Sequence, residues 1–238
     1  MSGELFAAER RDPSLVVLEG FHAFKHAVRF GADILHAVTD DPGGIAELAA
    51  RLAPDIVQHL AGVAAVGQAV PGHLLAVARR PAHDLARLLA AGGSPLVFLE
   101  RPSHLGNLGA AIRVTAAAGA AGLLSSGPHD PWHPHVVRGS AGLHFALPVA
   151  RVAEMPTSGR PLVAMHTDGE PLAHGMLEPG SLLAFGSERG GLSPGLLDRA
   201  DRHVAIPMRP GVSSLNLATA VAVTLYLGWR RGPAVSRR

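Results

Sequence analysis

The chain has 238 residues, 47% of them hydrophobic but only 4% aromatic, so it can build one large or two small domains around a core of Ala, Val and Leu. It has no cysteine, which excludes disulfides, thiolate metal sites and cysteine nucleophiles. The net charge is +2, and Lys25 is the only lysine among 21 basic residues. Arginine suits oxyanion recognition because its planar fork makes two hydrogen bonds at once, although an Ala-, Arg-, Gly- and Pro-rich composition accounts for the excess equally well.

In chain order, residues 1–13 are charged and lack the apolar centre of a signal peptide. Residues 15–18 (LVVL) read as a strand, 20–30 as a helix, 34–38 as a strand, 44–52 as a helix and 74–78 as a strand. This alternation predicts a small α/β domain over 1–80. Residues 81–94, with Ala90-Ala91-Gly92-Gly93, read as a linker or a helix exit. The pattern restarts at 95, giving a second α/β domain over 95–238. Residues 96–99 form a buried-type strand, and the helix after Asn107 places apolar or small residues at 108, 111, 112, 115, 116 and 119 on one face. Further strands are expected at 123–124, 162–165, 182–185 and 204–206. The last helix, 215–229, is apolar nearly all round and so must bury itself in a core or against a partner. It is too short for a membrane span and contains Asn216 and two threonines, so a soluble cytoplasmic protein is expected.

Three clusters carry the chemistry. The first, Asn107-Leu108-Gly109-Ala110-Ala111-Ile112-Arg113, opens a helix; Asn107 suits an N-cap, and Arg113, off the apolar stripe, would by itself be a solvated arginine. The second, Gly186-Ser187-Glu188-Arg189-Gly190-Gly191, follows a strand. It is neither a P-loop nor a nucleophile elbow. Glycines around one carboxylate suit a loop whose backbone touches a ligand, or else an ordinary turn with a surface Glu. In the third, Ile206-Pro207-Met208 closes a strand and Ser213-Ser214-Leu215-Asn216 leads into the last helix, with Ser214 as its N-cap. Polar groups at several strand ends are how an open α/β sheet assembles one site from distant segments. His129, His133 and His135 could ligate zinc by type, but prolines interrupt them and no acidic partner has matching spacing. A solvated or RNA-contacting loop is expected there, and no metal.

In this order the three clusters resemble the signature motifs of the SpoU/TrmH family of RNA ribose 2′-O-methyltransferases. The resemblance implies a deep trefoil knot in the 95–238 domain, S-adenosylmethionine as cofactor, RNA (rRNA or tRNA) as substrate and a homodimer. It assigns Arg113 to the ribose hydroxyl or adjacent phosphate, with Asn107, Glu188, Ser214 and Asn216 orienting the site, and Gly186, Ile206, Met208 and Leu215 lining the cofactor pocket. Arg138-Gly139-Ser140-Ala141-Gly142 resembles a further family stretch, so Arg138 and Ser140 are expected to grip RNA. The family's usual Val-Ser after Ser-Leu-Asn is Leu217-Ala218 here. More weakly, Leu18-Glu19-Gly20 and Ala32-Asp33-Ile34 resemble the L30e-like substrate-binding domain of many members. Three rivals remain: a resistance methyltransferase acting on ribosomal RNA, a non-catalytic RNA-binding paralogue, and a nucleotide-using α/β enzyme. The last lacks a Gly-x-Gly-x-x-Gly or Walker loop.

Overall fold

A computed structural model describes residues 5–229. In chain order the elements are β1 (Leu15–Glu19), α1 (Phe21–Arg29), β2 (Ile34–Thr39), α2 (Pro42–Leu52), β3 (Ala64–Ala65), β4 (Leu74–Arg79), α3 (Leu85–Ala90), β5 (Leu96–Leu99) and α4 (Leu105–Ala118). They continue with β6 (Gly122–Ser125), α5 (Pro134–Gly139), β7 (Val149–Arg151), β8 (Leu162–Pro171), β9 (Leu182–Phe185), α6 (Pro194–Arg199), β10 (Arg202–Ala205) and α7 (Leu217–Val223). They fall into two compact units, residues 5–82 with Trp132–Ala146, and His83–Pro131 with 147–229.

The first unit is a four-stranded sheet in the order β1-β4-β2-β3, antiparallel except for the short β2–β3 pair. β4 lies inside it and is buried from Leu74 to Ala78, which is why this run lacks polar alternation. Asp41 caps α2 by accepting from the Gly44 N–H at 2.9 Å, with Pro42 fixing the first turn. The segment 132–146 belongs to this unit. α5 packs on β1, the Ala141 carbonyl meets His26 Nδ1 at 2.7 Å, and Arg138 pairs with Glu19 at 3.1 Å.

The second unit is an all-parallel sheet in the order β10-β8-β9-β5-β6-β7. β5, β6 and β9 are buried along their whole length, as the continuous apolar runs at 96–99 and 182–185 demand. α4 buries Leu108, Ala111, Ile112 and Thr115 of the expected face, together with Gly109 and Ala118, while Ala116 is half-buried and Gly119, exposed and left-handed, ends the helix. Strand order reverses where β9 returns beside β5, so the crevice beyond their carboxyl ends is where an α/β sheet accepts a ligand. Among the described residues no helix is long and apolar enough to cross a membrane.

Several sequence expectations change. Helix α3 occupies six of the fourteen residues of the stretch 81–94 read as a linker or helix exit, and a buried guanidinium holds its end. Arg160, 6% exposed, donates to the carbonyls of Leu88, Leu89 and Ala91 at the C-terminus of α3, and to those of Ser94 and Gly180. Burial lowers its pKa from the ordinary arginine value, but a guanidinium remains charged. A positive charge at a helix C-terminus satisfies carbonyls that have no partner within the helix. The last helix begins at 217 rather than 215. Asn216 caps it, accepting from the N–H groups of Ala218 and Thr219 at 3.0 and 3.3 Å, and the role given to Ser214 passes to Asn216. After α7 the chain widens into a π turn over Thr224–Gly228, where Tyr226 and Leu227 are exposed, so this helix is not buried all round.

Replacing Arg160 with Met removes the donor from five carbonyls, that of Leu88 in a buried bond and the others partly buried. Urea denaturation should show a loss of about 3 kcal/mol or more.

Candidate active site

The loops leaving β5, β9 and β10 converge at the carboxyl edge of the second unit's sheet. The turn after β9 is closed on itself: Ser187 and Gly191 exchange both backbone hydrogen bonds at 3.0 Å, and the Gly190 N–H donates to Ser187 Oγ at 3.1 Å. A side chain at Gly186 would strike the Gly191 backbone, and Gly191 itself has φ +65°. The glycines at both ends of the turn are therefore steric requirements. Their effect is to hold Glu188 at the tip in one place.

Glu188 is the centre of a hydrogen-bonded relay. Its Oε2 accepts from the Ser103 N–H at 2.7 Å and the Ser103 hydroxyl at 2.6 Å, and its Oε1 accepts from Asn107 Nδ2 at 2.7 Å. Asn107 Oδ1 in turn accepts from Asn216 Nδ2 at 2.9 Å. The relay ends at the N-terminus of α7, which Asn216 caps. Asn107 is not an N-cap; α4 starts two residues earlier, after His104, and Asn107 uses its amide to join two other loops. A second clasp lies beside the first. The Glu100 carboxylate accepts from the Ser193 N–H and hydroxyl, both at 2.7 Å, tying the end of β5 to the start of α6.

Beside the relay lies a cleft of about 470 Å³. Gly186, Ile206, Met208 and Leu215, the four residues expected at the cofactor, all line it, as do Glu188 and Ser214. Its far wall is formed by Met165, His166 and Thr167. These belong to an excursion of β8. The register against β10 jumps from Ala164 opposite His203 to Glu170 opposite Val204, so residues 165–169 bow out of the ladder. The walls are mainly apolar side chains and loop backbone, with a few hydroxyls, one carboxylate, one imidazole and the Arg189 guanidinium. That lining suits a nucleoside-bearing ligand.

Arg113 does not line this cleft. It is exposed on α4, about 120° round the helix from Asn107, and its side chain has no hydrogen-bond or ion-pair partner among the described residues. Ser140, expected to grip RNA, is fully buried, donating to the Val137 carbonyl at 3.0 Å and paired with His144 Nδ1 at 2.7 Å. It cannot reach a phosphate, since its hydroxyl is committed inside the first unit. Arg138 is exposed, though engaged with Glu19. Of the three histidines, His129 reaches the Ser103 carbonyl at 3.2 Å and His133 packs edge-on against His135. Among the described residues no group of three metal-ligating side chains gathers. Sequence reading missed Ser103, Glu100 and the 165–167 wall. The one available signal was Glu100, a carboxylate directly after a buried strand.

Burial alone would raise the Glu188 pKa, but the donors from Ser103 and Asn107 outweigh it and hold the carboxyl at about 2, below its ordinary 4.5. A depressed folded-state pKa contributes stability above the unfolded value and loses it as pH falls through the folded one. The stability advantage of the native chain over Glu188→Gln should be full above pH 4.5 and shrink as pH falls from there toward 2, read from thermal unfolding at stepped pH.

The SpoU rRNA Methylase family profile matches residues 94–226. The chain is 33% identical over 190 residues to the 23S rRNA (uridine(2479)-2′-O)-methyltransferase of Streptomyces viridochromogenes, a match that covers 74% of this chain and 64% of the relative. It thus spans a little under two thirds of that relative's length. It is 25% identical over 227 residues to the 23S rRNA (guanosine(2553)-2′-O)-methyltransferase RlmP of Bacillus subtilis, covering 92% of this chain and 90% of the relative. Among solved structures, the SpoU methyltransferase AviRb from Streptomyces viridochromogenes in complex with the cofactor AdoMet superposes with a TM-score of 0.73 at 27% identity, covering 93% of this chain and 94% of that one. The profile takes in β5 through α7, the elements that build the relay and the cleft; the chain belongs to the SpoU rRNA methylase family.

Proposed function

We propose that this protein transfers a methyl group from S-adenosylmethionine to the ribose 2′-hydroxyl of structured RNA, with ribosomal RNA the first substrate to test and transfer RNA the second. The observation that carries this reading is the relay Ser103–Glu188–Asn107–Asn216, which ties all three clusters together at the rim of one cleft. Two relatives named for 2′-O transfer act on a uridine and a guanosine of 23S rRNA. What those targets share is the sugar, which supports a ribose rather than a base as the acceptor.

The cleft fits the cofactor in size and lining. Ile206, Met208 and Leu215 would give apolar surface to the adenosine, and the 186–191 turn would give backbone groups. When bound, S-adenosylmethionine supplies a methyl on a cationic sulfur, an electrophile with its leaving group built in. The protein's task is then to align the ribose and to favour the charge that develops on its oxygen. Ser214, exposed at the cleft wall, orients the ribose through its hydroxyl. Glu188, ionised at neutral pH and saturated by donors, serves as a fixed acceptor and not as the proton-transfer group. Arg113 stabilises the developing oxyanion or the neighbouring phosphate.

We further read the 95–238 domain as a deep trefoil knot, residues 1–80 as an L30e-like substrate-binding domain, and the working form as a homodimer. The knot reading is supported by the 186–192 and 206–217 segments lining one cleft. The dimer reading is supported by Arg113, which is exposed and off the cleft wall, and by Tyr226 and Leu227, 54% and 37% exposed. A second copy covers the exposed end of the last helix and brings Arg113 to the partner's cleft.

Radiolabelled methyl transfer to separated rRNA and tRNA pools should label RNA and yield an alkali-resistant dinucleotide; label on a base would refute the ribose assignment. Arg113→Ala should lower kcat by about 100-fold or more with cofactor affinity unchanged by calorimetry. Full transfer by that variant would remove Arg113 from its role.

A further inference from the structure

Residues 100–103 carry both clasps that hold the relay's loops, Glu100 to Ser193 and Ser103 to Glu188. Between them stands Arg101, with φ +49°. The left-handed region is disfavoured for any residue with a long side chain, and Pro102 narrows the choice further. Neighbouring loops enforce this conformation. The Arg101 N–H donates to Ser126 Oγ at 3.2 Å, and Gly127 packs so closely that a Cβ there would lie 3.0 Å from the Arg101 Cα. Yet the guanidinium is exposed and, among the described residues, bonds to nothing.

A loop fastened at four points around a strained residue whose own side chain makes no bond is constructed to present that side chain. Glycine would satisfy the backbone at lower cost, so the arginine is there for its head group. Arg189, which lines the cleft, and Arg209 are exposed too, but neither has such a backbone. A guanidinium carried on the loop whose Ser103 is bonded to Glu188, after a strand's end at the carboxyl edge of a parallel sheet, is placed for an oxyanion of whatever polymer enters there. Resting on the RNA reading above, we propose that Arg101 grips an RNA phosphodiester next to the methylated nucleotide and fixes the register of the strand, contributing to substrate binding and not to cofactor binding.

The test uses the full chain, with Arg101→Gly and Arg101→Asn, both at ease at positive φ, and Arg101→Lys. Binding of deproteinised 23S rRNA is followed across a salt series, together with melting temperature and S-adenosylmethionine affinity. Both neutral variants should bind the RNA about tenfold more weakly, with a log–log salt slope shallower by about one unit. Lys should keep most of the affinity. Melting temperatures of the Gly and Asn variants should equal or exceed the native value, and cofactor affinity should not move. Unchanged RNA affinity and slope in both neutral variants would overturn the proposal. If the native chain binds RNA through Arg101 but transfers no methyl group to it, the proposed reaction fails and the phosphate contact stands. If transfer proceeds and the neutral variants bind as well as the native chain, only the phosphate contact fails. A native chain that binds no RNA sinks both.

Discussion

The Glu188 carboxylate is the interaction on which the rest of the site depends. One carboxylate draws in a backbone N–H, a hydroxyl and an amide from residues 85 and 81 positions earlier in the chain. Its demand for donors also sets the direction of everything beyond it. Because Asn107 must turn its NH₂ toward Glu188, its oxygen faces Asn216. Asn216 must then offer its own NH₂, which leaves its oxygen for the free N–H groups of α7. Flipping either amide would set donor against donor. The carboxylate thereby dictates the orientation of two side chains and the starting point of a helix, using bonds of 2.6–3.3 Å throughout.

This arrangement works because the scaffold beneath it is stiff. β5 and β9 are adjacent, in register from Leu96 opposite Leu182 to Leu99 opposite Phe185, and fully buried. Each buried leucine there contributes roughly 1.5–3 kcal/mol. The two loops that leave these strands therefore start from fixed points one strand spacing apart. Two short clasps suffice to lock them: Glu100 with Ser193, and Ser103 with Glu188. Rigidity in the sheet is converted into precision at the loop tips, which is what alignment of two reacting groups requires.

What the sequence revealed and what it hid follow the same physics. Buried parallel strands announce themselves as unbroken apolar runs, and the face of α4 as a helical repeat, so the core of the second unit was readable. The cleft-lining residues 186, 206, 208 and 215 were readable through family resemblance, because glycine spacing and the Ser-Leu-Asn bend are local patterns. Non-local partners were not. Nothing near Arg160 in sequence reveals that it will cap a helix 70 residues earlier, and nothing near Ser103 points to a carboxylate 85 residues later. Helix starts were misplaced by three residues at 105 and by two at 217 because Asn107 and Ser214 both look like caps. Asn107 gives its amide to Glu188 and Asn216 instead, and Asn216 takes the capping role from Ser214. Ser140 misled for the opposite reason. A polar residue between glycines reads as surface, but here a buried imidazole claims it.

The segment Trp132–Ala146 gives the first unit a history as well as a shape. Its helix α5 covers β1, and Gly142 packs so tightly on the backbone of α1 that no side chain is tolerated there. On the ribosome, that unit's sheet is synthesised by residue 79 but must wait until residue 146 has emerged before its surface is closed. By then β5, α4 and β6 are already available to begin the other sheet. The amino-terminal part of this protein is thus finished by material made after the next one has started, and cutting the gene at the obvious boundary near residue 82 would yield a fragment with an open, sticky face.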